Sequence, residues 1–113
     1  MGYDLHITRR RKWWAAGEGG EIAEAEWRAV VESDAELRLV EAAEQELPGG
    51  AVLAYTNPGL AEWTGHPEEE VVWFDYRRGN VVVKDPDEVT VSKMKELARR
   101  LGAAVQGDDG EFY

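Results

Sequence analysis

The sequence predicts a single α+β domain over residues 1–113, in which a mixed or antiparallel sheet packs against two helices as a sandwich. Three observations favour this class. The start of the chain alternates apolar and polar residues, as a half-buried strand does. Two segments rich in Val and aromatic residues flank a short Gly-Asn turn, which is typical of a hairpin. Two other segments space their apolar residues as amphipathic helices do.

The first strand and the segment after it come from residues 3–20. Tyr3, Leu5 and Ile7 alternate with polar residues, so one face of this strand is expected in the core. Basic residues 9–12 follow and lead into Trp13 and Trp14. The glycine-rich stretch at residues 15–20 predicts a loop.

The first helix is expected to begin near Ala23, with Trp27 on its buried face, and to end at residues 33–34. Ala at the cap position should weaken its start by about 1 kcal/mol, because Ala offers no side-chain acceptor. Residues 36–46 fit either a strand or a helix. Turns are predicted at residues 48–50 and 57–59, with a short strand at residues 51–55 between them.

The second half of the chain predicts a hairpin and then a helix. Strands at residues 70–76 and 81–84 enclose a turn at residues 77–80. The alternation places Trp73 and Asp75 on one face, opposite Phe74 and Tyr76. A helix is expected to start at residues 85–88 with Pro86 in its first turn and to end at Gly102. Residues 103–105 lead into a last strand.

Charge and composition bound the functional classes. The chain has 23 acidic and 13 basic residues, a formal net charge of −10. Such a field repels nucleic acid and anionic membranes, so the expected partner is a basic protein. The absence of Cys excludes disulfides and thiolate chemistry. The chain shows no signal peptide or long apolar run, so a cytoplasmic location is expected.

Two constellations could carry chemistry. Asp108, Asp109 and Glu111 lie between glycines and could hold a divalent cation, although their spacing is not that of an EF-hand. A solvated turn is the favoured interpretation, so neither a metal nor a cofactor is expected. His6 could pair with Asp75 on a neighbouring strand as an acid–base pair, yet nothing in the sequence brings them together. No catalytic motif is found, and no enzyme is expected.

A partner-binding surface is the preferred interpretation of the remaining features. Trp and Arg dominate binding hot spots, and acidic clusters steer basic partners. The expected contact residues are the aromatic and acidic side chains Trp13, Trp14, Glu68, Glu69, Glu70, Trp73, Asp75, Asp108 and Asp109.

The chain also resembles a family of small uncharacterised bacterial proteins. The segments that carry this resemblance are YDLHITR at the start, WFDYR with GN and VVVKDPD in the middle, and KM, LGA and VQGDDGEFY towards the end. The family is similar in style to immunity proteins of bacterial toxin systems. The resemblance therefore implies an inhibitor that binds and neutralises a toxin domain. The alternatives are a small metal-binding or hydrolytic enzyme that uses His6 and Asp75 or the Asp108–Glu111 cluster, and a homodimeric interaction domain.

Overall fold

A computed structural model describes residues 3–15 and 19–113 and has the predicted α+β architecture. It contains two helices, a six-stranded antiparallel sheet and a separate two-stranded hairpin. The elements in chain order are β1 (Leu5–Thr8), α1 (Glu24–Glu32), β2 (Leu37–Leu39), β3 (Ala42–Glu46), β4 (Val52–Thr56), β5 (Ala61–Trp63), β6 (Val72–Arg77), β7 (Asn80–Val83), α2 (Glu88–Arg100) and β8 (Ala104–Gly107).

The strand order in the large sheet is β2-β5-β6-β7-β1-β8. The first strand of the chain therefore lies between β7 and β8, with Ile7 opposite Val81 on one side and Val105 on the other. Strands β3 and β4 pair only with each other in the hydrogen-bonded sheets of the described residues. This order brings residues from both ends of the chain onto neighbouring strands.

Both helices cover the same face of the sheet. Phe74, Val81 and Ile7 point into this layer from the strands, where Trp27 of α1 and Met94 of α2 meet them. All five side chains are fully buried, which removes their apolar surface from water and supplies the main driving force for folding. The prediction that Trp73 and Phe74 lie on opposite faces of the strand is confirmed, and the structure identifies the face of Phe74 as the core.

The prediction that β1 is half buried is wrong. All four of its residues are buried, because residues 10–14 cross over the face that points away from the helices. Residues 36–46, which fitted either a strand or a helix, form β2 and β3. Strand β5 was not predicted, since it is only three residues long and carries Glu62 at its centre.

The helix starts differ in how they are capped. Ala23 is the cap residue of α1 and makes no side-chain hydrogen bond. The backbone N–H of Ala23 donates to the Glu26 side chain at 3.1 Å. Helix α2 begins at Glu88, within the expected range, but Pro86 precedes the cap residue Asp87 and therefore lies outside the first turn. Asp87 is the cap and accepts from the Thr90 N–H at 2.9 Å, which satisfies one of the free amide groups at the helix start.

Two further features matter for the surface. A two-residue turn joins β6 to β7, and both Arg78 (φ 51°) and Gly79 (φ 84°) are left-handed, as the tight turns of twisted hairpins require. At the end of the chain, residues 111–113 fold back along β8. Phe112 forms a bridge with Gln106, and the Tyr113 N–H donates to the Val105 carbonyl at 2.9 Å.

Candidate functional site

The candidate site is the open face, which we define as the sheet face opposite the two helices. A cross-strand row of Asp75, Val82, His6 and Gln106 runs across it from β6 to β8. Two depressions lie on this face, one of about 850 Å³ around His6 and one of about 560 Å³ around Trp73. We call them the His6 cavity and the Trp73 groove. Tyr55 of the β3–β4 hairpin borders both.

His6 lies at the base of its cavity and is buried. Its ring stacks on Trp13 with centroids 3.8 Å apart and planes 7° from parallel. The Nε2 atom lies 2.9 Å from Oδ1 of Asp108, whose other oxygen accepts from the Asp4 N–H at 2.9 Å. With its proton on Nε2, the ring leaves Nδ1 as a bare acceptor, and Nδ1 has no partner in the described structure.

Trp13 is held across the open face by three hydrogen bonds to distant segments. Its backbone N–H donates to the Gln106 side chain at 3.0 Å, and its indole Nε1 donates to the Asp108 carbonyl at 3.1 Å. Its carbonyl accepts from Asn80 Nδ2 at 2.8 Å. Trp14 lies edge-on to Trp13 and is about half exposed. Of the two, Trp14 therefore offers the freer binding surface.

Arg10 forms another part of the wall of the His6 cavity, and its side chain is only 5% exposed. Among residues 3–15 and 19–113 its guanidinium has one ion pair, to Glu21 at 3.4 Å. Within this part of the chain its Nε atom has no hydrogen-bond partner, and the same holds for Oδ1 of Asn80. Buried polar atoms without partners are unusual, because each costs free energy that a hydrogen bond would recover.

The suggested pairing of His6 with Asp75 does not form. Strand β7 separates the two, with Val82 between them in the row. Asp75 instead accepts from the Tyr55 hydroxyl at 2.8 Å, from Asn57 Nδ2 at 2.7 Å and from Arg77 Nε at 2.8 Å. Asp75 thus ties the β3–β4 hairpin to the large sheet, and the carboxylate beside His6 is Asp108.

The carboxylates of residues 108–111 turn to two different partners, His6 and Tyr3. Asp108 turns to His6, whereas Glu111 bonds the Tyr3 hydroxyl. That bond raises the pKa of Tyr3 to about 12 and lowers the pKa of Glu111. Asp109 accepts a long contact from the same hydroxyl at 3.5 Å. No cluster able to hold a metal ion was found among the described residues.

Of the predicted contact residues, Trp73 and Asp75 line the Trp73 groove. Trp73 is 42% exposed and Leu53, from β4, is 53% exposed. The exposed residues Glu68, Glu69 and Glu70 lie just before β6. The backbone N–H groups of Glu68 and Glu69 both donate to Nδ1 of His66.

His66 fixes this acidic segment. Its Nε2 lies 2.7 Å from Asp87 at the start of α2, and the bond helps to lower the pKa of Asp87 to about 2, after the larger effect of the Thr90 N–H. Sequence reasoning did not give His66 this role, and it also missed Arg10, Asn80 and Tyr55 at the open face. The Asn-Pro-Gly turn follows β4, which carries Tyr55, and the Gly-Asn turn contains Asn80. No local pattern, however, indicates which side chains line a cavity.

No protein-family model, curated protein or solved structure matched the chain in the comparisons. Among residues 3–15 and 19–113, neither helix has the length and apolar character needed to cross a membrane.

Proposed function

We propose that this chain is an acidic, cytoplasmic protein-binding domain, and more specifically an immunity-type inhibitor that binds a basic bacterial toxin domain. The observation that carries the proposal is the Trp73 groove. It combines exposed apolar side chains with neighbouring carboxylates on a sheet face that no helix covers. The sequence resemblance described above supports the same function.

The shape and chemistry of the Trp73 groove suit a protein partner. Trp73 and Leu53 line it, and Val52 of β4 is also strongly exposed at 58%. Exposed apolar patches bordered by polar groups are typical of interaction sites. An aromatic anchor at the centre and charge at the rim is also how binding energy is commonly distributed in interfaces.

The charge favours a basic partner. The net charge is −10, and Glu68, Glu69 and Glu70 are all exposed beside β6. Long-range attraction of this kind accelerates association more than it strengthens the final complex. We therefore assign the acidic segment to the encounter step and Trp73 to the bound state.

We do not propose an enzyme. The enzyme alternative needed His6 beside Asp75 or a cluster at Asp108–Glu111, but β7 separates His6 from Asp75, and Asp108 and Glu111 bond His6 and Tyr3 respectively. These bonds give Asp108 and Glu111 a structural task, that of joining the two ends of the chain.

The test begins with affinity capture from the native organism, followed by purification of the captured protein. The expected partner is basic, binds with one-to-one stoichiometry, and arrests growth when expressed alone, whereas co-expression of this chain restores growth. Trp73→Ser should accelerate dissociation by roughly tenfold or more, in the range of interface anchors. Val89→Ser, which removes an exposed apolar side chain of α2 on the helix side of the sheet, serves as the control.

A second pair of variants tests the charge. Glu69→Lys should slow association at low salt and lose this effect at high salt, because screening weakens long-range attraction. Glu32→Lys makes the same charge change at the end of α1 and should have the smaller effect. A partner that binds the Trp73→Ser and Glu69→Lys variants as well as it binds the wild type would contradict the proposal. A mass that rises with concentration and no captured protein would favour the homodimer instead.

A further inference from the structure

The His6 cavity has an unusual concentration of unsatisfied polar atoms. Three buried side-chain atoms without hydrogen-bond partners are identified in the described structure: His6 Nδ1, Arg10 Nε and Asn80 Oδ1. All three belong to residues that line this one cavity. All three residues are more than nine-tenths buried. Their convergence in one place indicates a binding site, since scattered packing defects would not share a wall.

The size and lining of the cavity suit a small molecule. Its volume of about 850 Å³ lies within the range of about 300–1,000 Å³ that is usual for ligand pockets. Trp13, Trp14 and Tyr55 supply aromatic walls. Such a lining with a few convergent polar groups is the common composition of small-molecule sites.

The charges at the cavity point to an anionic group on the ligand. Arg10, Arg77 and Arg78 line it together with the carboxylates of Asp4, Glu24 and Asp108. Arg77 is already paired with Asp75 at 2.8 Å, whereas Arg10 has only a longer contact with Glu21 at 3.4 Å among the described residues. On a chain of net charge −10, such a buried guanidinium group is the side chain that can attract an anion. Arg10 carries most weight, because its buried Nε–H has no acceptor and guanidinium groups bind oxyanions through paired N–H bonds.

The two other unpartnered atoms require hydrogen-bond donors. Asn80 uses its Nδ2 on the Trp13 carbonyl, which fixes Oδ1 as an acceptor. Nδ1 of His6 is likewise an acceptor when Nε2 donates to Asp108. Hydroxyl groups could bond to both. The three atoms have almost no solvent-accessible surface, so a small side-chain movement must bring them onto such a ligand, and the hydrogen bonds formed would then recover free energy.

We propose that the His6 cavity binds a small polyhydroxylated anion, with a phosphate or carboxylate group at Arg10 and hydroxyl groups at Asn80 and His6. This site is separate from the Trp73 groove and does not depend on a protein partner. The anion supplies a charged acceptor for the Arg10 Nε–H, and the hydroxyl groups supply donors for Asn80 Oδ1 and His6 Nδ1.

The test uses NMR titration of the ¹⁵N-labelled protein with ribose 5-phosphate and, separately, with gluconate as the carboxylate probe. Either probe should move the Arg10 Nε–H and Asn80 side-chain signals with saturation at a concentration on the order of millimolar. Ribose without phosphate, and inorganic phosphate without the sugar, should each bind at least tenfold more weakly than ribose 5-phosphate. The tighter of the two probes identifies the oxyanion.

Variants distinguish a built site from general ionic attraction. Arg10→Gln should weaken binding at least tenfold, whereas Arg11→Gln removes the same charge from the exposed neighbour and should change it less than twofold. Equal losses in the two variants would overturn the proposal. So would Arg10 and Asn80 signals in the wild type that stay unmoved by both probes, a result that does not require the Arg10 variant to fold.

Discussion

The ion pair between Lys93 and Asp34 gives the sharpest test of the packing of the helix layer. Lys93 Nζ on α2 lies 2.6 Å from Asp34 Oδ2, in the segment after α1, and the side chains are only 7% and 9% exposed. Asp34→Asn removes the negative charge but keeps Oδ1, which accepts from the Glu36 N–H at 2.9 Å. The substitution therefore tests the charge and leaves the local turn intact.

The structure sets the expected magnitude. Removing one partner of a buried ion pair costs roughly 3–5 kcal/mol when the remaining charge has no other partner. Lys93 retains Glu96 at 3.2 Å and Glu36 at 3.4 Å, both about half exposed. Such exposed pairs are worth roughly 0–1 kcal/mol each. We therefore expect Asp34→Asn to lower the free energy of unfolding by about 2–3 kcal/mol.

The assay is urea unfolding of the wild type, Asp34→Asn and the control Glu96→Gln, which should cost less than about 1 kcal/mol. Burial by itself would raise the pKa of Asp34, but its bonds to Lys93 and the Glu36 N–H outweigh burial and lower it. The stabilisation is thus complete above the ordinary pKa of 3.8 and is lost as pH falls through the lower folded value. Wild type and Asp34→Asn should converge in acid. Equal costs for the two variants would refute the reasoning.

Three further predictions concern single contacts. Trp27→Phe leaves the Gly59 carbonyl without the indole donor that lies 2.8 Å away, so urea unfolding should show a loss of about 1–3 kcal/mol, and an unchanged midpoint would contradict this. Because the pKa of Asp87 is lowered to about 2, its stabilisation should disappear as pH falls from 3.8 towards that value, and Asp87→Asn should flatten the acid unfolding profile there. The bond to Glu111 raises the pKa of Tyr3 to about 12, so the stabilisation from this bond is complete below pH 10.0 and is lost as pH rises towards the folded pKa. Tyr3→Phe should therefore delete the highest-pH step of the phenolate absorbance titration.

Local patterns were sufficient to predict the sheet with two helices and the assignment of β6 side chains to its two faces. The alternation in residues 72–77 is a short-range signal, and both strand and helix periods are visible in a few residues. The burial of both faces of β1 was not predictable in this way. It depends on Gln106 and Asn80 bonding to the backbone of residues 10–13, which lies far away in the sequence.

The candidate site depended even more on long-range pairing. The register of β1 with β8 places His6 opposite Gln106, which brings Asp108 within reach of a histidine 102 residues earlier. The sequence analysis named Asp75 as the possible partner of His6, and only the strand order, which local patterns do not give, shows that Asp108 is the neighbour. The Glu68–Glu70 segment could be identified directly from its charge, whereas alternation placed Trp73 opposite Phe74 without indicating which of the two faces is exposed.

The fold-back of residues 111–113 bears on self-association. Strand β8 is at one edge of the sheet, and an open edge recruits strands from other molecules. Here the Gln106–Phe112 bridge and the bond from Tyr113 to Val105 occupy part of its outer backbone groups. The opposite edge, β2, is only three residues long. Both edges of the large sheet are therefore poor templates for intermolecular strand addition. Removal of residues 111–113 would expose unpaired backbone groups of β8 and favour aggregation.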